Sequence, residues 1–216
     1  MRIFSYDSKF SQIMRKLSYG CYLNLLWFVC SLPVFTLGAA TAALYDVTLR
    51  MARGEEPELT RRFSQAFREN FRQATTLWLI LLGVGALLGL DGYILYHLYK
   101  TTAGATAVIC TLGLALVIVA AIGLVMVLLY IFPLVARVKN TNFAMVKNSF
   151  LIGIRYLFCT ILVFAIHFAM FFAVVALYTP LIIFGEGLCA LLSSYLLDRV
   201  ISACSGEPGE EAGEAQ

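Results

Sequence analysis

The sequence predicts an all-α polytopic membrane protein with five to six membrane helices, and three observations carry that prediction. Of its 216 residues, 61% are hydrophobic and only 13% charged, about half the charged share of an ordinary soluble domain. The mean hydropathy is +0.84. Apolar runs of near-spanning length recur along the chain, and the basic residues gather between them, as in helices that cross a bilayer and leave their charges at its faces.

The first run extends from Tyr19 to Leu49 and is interrupted by Pro33. Proline removes a backbone donor and clashes with the preceding turn, so this is either one kinked helix or a hairpin. A single crossing divides the Lys and Arg residues 5 against 11 between the two sides. A hairpin turning at Pro33 and Gly38, within "LPVFTLG", puts all but Lys100 of the 16 on one side. The positive-inside rule favours the hairpin, although each arm falls short of the about 20 residues of a straight span. The turn is expected near the outer surface. The basic N-terminus and "GAATAA" also have the look of a signal peptide, but Pro33 and the later runs favour an uncleaved segment.

Between the first two runs lies "ELTRRFSQAFRENFRQA", Glu58 to Ala74. At 100° per residue Phe63, Phe67, Phe71 and Ala74 share one face, while Arg61, Arg68 and Arg72 take the other. The expectation is an amphipathic helix lying in the headgroup region, with its arginines near anionic lipid; the alternative is a cytosolic extension packed on the bundle. Segments two to five follow over Thr75 to Tyr96, Ala105 to Val135, Phe150 to Tyr178 and Leu181 to Leu197, the last two separated at Tyr178 to Pro180. Gly85 and Gly89, four apart in segment two, offer a small-residue surface for helix packing. The stretch 1–204 reads as one membrane domain. The acidic, Gly- and Pro-bearing residues 205–216 read as a disordered cytoplasmic tail.

Asp91 and Glu186 lie near the outer ends of segments two and five, each about 9 Å below the rim at 1.5 Å per residue. Carboxylates at that depth tend to face a bundle interior or a watery cavity. They suggest an outward polar pocket, with His97, for a cation, proton or polar solute; the plainer reading is that each only orients its helix. His167 and Asn24 read as helix–helix hydrogen-bond partners. The six cysteines show no CxxC spacing and read as small hydrophobes. No catalytic set, metal site or cofactor motif can be built from two histidines and these acids, and no basic surface interleaved with aromatics suggests nucleic acid.

The blocks "NLLWFVCSLPVFTLGAATAALYDVTLRM" and "FSQAFRENFRQATTLWLI" resemble the YesL-like family of bacterial integral membrane proteins, a domain of unknown function. The resemblance covers the chain to about Cys204. It implies an accessory part in carbohydrate uptake, because genes of that family often lie beside sugar importers. The expectation is a non-enzymatic auxiliary or assembly subunit in the bacterial cytoplasmic membrane, with both termini cytoplasmic. Its expected partners are the lipid bilayer and either a carbohydrate-importer permease or a second copy of itself. The alternative is a small secondary transporter using Asp91 and Glu186.

Overall fold

A computed structural model describes residues 9–55, 58–176 and 182–205. Among them are seven α-helices and no strand: α1 (Lys9–Ser31), α2 (Leu37–Ala52), α3 (Leu59–Thr101), α4 (Ala105–Arg137), α5 (Asn142–Arg155), α6 (Leu157–Ala176) and α7 (Ile182–Ser205). Four of these helices contain stretches long and apolar enough to cross a membrane: Leu59–Thr101, Ala105–Arg137, Leu157–Ala176 and Gly185–Cys204. Neither arm of the first run is among them. The Tyr178 to Pro180 separator and the tail from residue 206 lie outside the described residues, and Ser205 is the last residue of α7.

The chain does reverse at Pro33. Pro33 caps a single 3₁₀ turn, Val34–Thr36, with extended backbone at φ −77° and ψ 114°. Proline also disfavours a helical conformation at the preceding residue, which is why α1 stops just before it. Thr36 Oγ1 lies 2.6 Å from the Cys30 carbonyl and 2.7 Å from that of Pro33. It thereby satisfies carbonyls released where the helix ends. Trp27 Nε1 donates to Thr41 Oγ1 at 3.0 Å, joining the two arms. Gly38 is not in the turn itself but inside α2. A side chain there would meet the Ala74 carbonyl and Trp78 Cβ at 2.6 Å, so the glycine serves the close approach of α2 to α3.

The tip of the hairpin lies beside the middle of α3. Val34 presents its carbonyl to Trp78 Nε1 at 2.9 Å, and Trp78 is 13 residues, about 20 Å along a helix, from Asp91. The turn therefore does not share a wall with that acid. The reason lies at the other end of the contact. Arg62 clasps Asp46 through two bonds of 2.6 and 2.7 Å, and this ties the short α2 to the charged half of α3.

The expected interfacial helix is continuous with the second span, forming the 43-residue α3. Its phenylalanine face is covered by protein: Phe63 is buried, and Phe67 and Phe71 pack against the same core. Arg68 and Arg72 stay exposed. Helical periodicity identified the face, and the hydrophobic core of the protein covers it, as in the packed-extension alternative.

Beyond Leu81, α3 pairs with α4 as an antiparallel hairpin through Gly85–Leu124, Gly92–Val117 and Leu95–Gly113 contacts. It turns at Gly104, whose φ of 73° favours glycine. Gly89 has nothing within 4 Å of a built side chain, so only one member of the expected Gly85/Gly89 pair lies against a neighbour. The fourth predicted segment divides at Tyr156 into α5 and α6. There Thr160 Oγ1 donates to the Gly153 carbonyl at 2.8 Å and lies 2.9 Å from Tyr130 Oη, so a hydroxyl pair stabilises the joint.

Candidate functional site

The buried polar groups gather where α2, α6 and α7 meet. α7 approaches α1 closely because Gly187 faces Gly20 without a side chain between them, and Asn24 Oδ1 accepts from the Gly187 N–H at 2.8 Å. This makes Asn24 the cross-helix partner its position suggested. One residue before Gly187, Glu186 is directed toward α6.

There the carboxylate lies 4.0 Å from His167 Nε2. The other ring nitrogen, Nδ1, is 2.9 Å from the Val163 carbonyl. A carbonyl only accepts, so Nδ1 carries a proton and Nε2 faces the site. Tyr45 Oη, on the buried α2, lies 3.4 Å from Nε2 and 3.5 Å from Ser193 Oγ. Ser193 in turn bonds the Cys189 carbonyl. Glu186 and His167 keep side-chain exposures of 29% and 24%, so the pair opens on one side while Tyr45 closes the other. A carboxylate, an imidazole nitrogen and a phenol in this order can hold a proton or coordinate a small polar solute.

The polar seam continues along α2 and α7. Ser194 Oγ donates to Thr48 Oγ1 at 2.8 Å, and Thr48 donates to the Leu44 carbonyl at 3.0 Å. At its end Asp198 takes Arg137 at 2.5 Å and Arg53 at 3.8 Å. Each hydroxyl in the seam returns its proton to a backbone carbonyl or a neighbour, so few polar groups are left costly and unpaired.

The expected pocket of Asp91, Glu186 and His97 is not assembled. Asp91 is exposed on the C-terminal half of α3, which packs chiefly on α4. His97 is exposed as well and lies against Tyr93, with ring centroids 4.5 Å apart and the planes tilted by 55°. Equal depth below a rim placed the two acids at similar heights, but it did not place them on facing sides. Glu186 was legible as a costly acid and His167 as a helix–helix hydrogen-bond partner, but nothing in the sequence joined them to each other or to Tyr45. The only signal for His167 was its polarity within "FAIHFAMFF", and Tyr45 had none.

Four long apolar helices and an internal polar seam define a helical membrane protein. Residues 21–92 match the family described as "Protein of unknown function, DUF624". The chain is also similar to the "Uncharacterized protein YteU" of Bacillus subtilis (strain 168), at 27% identity over 199 residues, covering 90% of this chain and 84% of the relative. No solved structure matches. The matched stretch contains the Pro33 hairpin and most of α3, the region in which the family resemblance was read.

Proposed function

We propose that this protein is a non-enzymatic auxiliary or assembly subunit of the bacterial cytoplasmic membrane, associated with carbohydrate uptake. It docks to a permease through the outer α3–α4 hairpin, with both termini on the cytoplasmic side. The observation that supports this reading is Asp91. It stands exposed on an otherwise apolar helix surface, 10 residues or about 15 Å from the end of α3, and no ion pair or hydrogen bond engages its side chain among the described residues. A carboxylate at such depth is stabilised by a partner group, and a neighbouring chain is the available source. The link to carbohydrate rests on the YesL-like resemblance, and the orientation on Lys100 being the sole cation near the α3–α4 turn.

The test is purification of the native complex in mild detergent. A sugar-importer permease should co-purify with the wild type and be reduced several-fold with Asp91→Asn, at equal expression. Recovery of only this chain, as monomer or homo-oligomer, would overturn the permease partner. A second reading is favoured by the Glu186–His167–Tyr45 geometry: a small secondary transporter. Proteoliposomes containing only this protein would then show solute or proton flux that Glu186→Gln abolishes.

A further inference from the structure

We propose that a cleft between α4, α5 and α7 is a binding site for one anionic phospholipid, with the headgroup phosphate held by Arg155 and Asn148. The cleft has a volume of about 300 Å³, at the lower end for ligand sites and enough for part of an acyl chain. Leu134, Ile152 and Ile201 form apolar walls, Arg155 and Asn148 supply the polar groups, and none of the lining residues is acidic.

Its position in the fold fits a lipid. Three of the apolar spans end around it: Leu134 is near the end of α4, Cys204 near the end of α7, and Arg155 lies two residues before α6. Gln73 Nε2 donates to the Asn140 carbonyl at 2.7 Å. That bond sets this end of α4 level with the part of α3 where exposed Arg72 gives way to exposed Leu79. The cleft thus lies where the protein surface changes from charged to apolar, the depth at which phosphates and the first methylenes of a bilayer are found.

The polar groups are available. The Arg155 guanidinium lies 5.7 Å from the Tyr156 ring centroid, but neither it nor the Asn148 side chain makes an ion pair or hydrogen bond among the described residues. The nearby acid Asp198 is engaged by Arg137 and Arg53, so it does not compete. Guanidinium presents paired donors to phosphate oxygens, and a basic pocket between spans at the positively charged face suits an anionic headgroup. A zwitterionic lipid would bring a second cation to an already cationic wall.

Native mass spectrometry of the full chain, released from neutral detergent with phosphatidylglycerol or phosphatidylcholine of identical acyl chains, tests this. One phosphatidylglycerol should be retained per chain, about tenfold more tightly than phosphatidylcholine; equal retention would overturn the site. Arg155→Gln should weaken retention about tenfold and Arg155→Lys much less, whereas undiminished binding in Arg155→Gln would refute the assignment. Asn148→Ala, which keeps the charge, should cost about threefold and carries the test if Arg155→Gln does not fold. Arg199→Gln, an exposed control outside the cleft, should bind as wild type; an equal loss there would mean diffuse surface charge. Glycerol 3-phosphate at millimolar concentration should not displace the lipid, and displacement would make a soluble phosphate the ligand. Converting Glu207, Glu210, Glu211 and Glu214 to Gln should leave retention unchanged. A strong gain would instead make the acidic tail the occupant.

Discussion

α2 and the outer half of α3 are both apolar helices, yet one is enclosed and the other nearly bare. Every residue of α2 from Gly38 to Leu49 is buried, whereas Leu79, Leu87, Leu90 and Tyr93 of α3 are exposed by 49 to 63%. The difference follows the number of neighbours: α2 packs on α1, α3, α4 and α7, the far half of α3 on α4. α2 opens with "GAATAA", small residues that let neighbouring backbones approach, and its threonines turn their hydroxyls onto their own helix or an adjacent one. The far half of α3 has small residues too, but those that meet a neighbour, Gly85 and Gly92, face α4 alone, while Leu79, Leu87, Leu90 and Tyr93 stay uncovered. Hydropathy ranks the two together, and small residues occur in both; only the tertiary packing separates them.

Breaking the enclosed side should have the largest effect. Gly38→Val places a branched side chain against the Ala74 carbonyl and Trp78 Cβ, both backbone-anchored. Overpacking of that kind costs about 3 kcal/mol or more, so the thermal midpoint in detergent should fall sharply or folded protein should be lost. Asp46→Asn comes next. Asp46 is only 5% exposed and holds Arg62 at 2.6 Å, and breaking a buried ion pair costs about 3 kcal/mol. Restoration of stability by Arg62→Met in the same chain would show that the loss came from the uncompensated arginine. Smaller again is Ser194→Ala, which removes the bond to Thr48 at about 1 kcal/mol. On the bare side, Gly89→Ala meets nothing within 4 Å and should be neutral or stabilising by up to about 1 kcal/mol. A loss at Gly89 comparable with Gly38 would mean that another chain covers outer α3, and the comparison would then become a map of the interface.

The sequence made the helices and the reversal legible for local reasons. Proline removes a helix donor and biases the residue before it away from helix, so the break at Pro33 could be read without knowing the fold, although Pro133 is carried inside α4 near its end. The amphipathic face of Phe63, Phe67 and Phe71 was legible too, since 3.6-residue periodicity is a property of one helix. What covers that face was not, because the seating of α3 in the core depends on tertiary contacts such as the Asp46–Arg62 clasp and the close approach at Gly38. The site was legible in half. Glu186 is conspicuous in any apolar run, but its azimuth depends on how α7 seats on α1 at Gly187 and Gly20. The spacing of Gly85 and Gly89 gave a common face, not what lies opposite each residue.

α3 carries the basic connector and a long apolar stretch on one uninterrupted helix. From Arg62, clasped to Asp46 near the basic face, the same uninterrupted helix runs to Thr101 beyond the far apolar stretch, a length of about 60 Å. A rod of that length pivoting at its clasped end converts a tilt of about 5° into a displacement of about 5 Å at its tip. The turn at Gly104 would therefore magnify whatever tilt of α3 its packing against α2 and α4 allows.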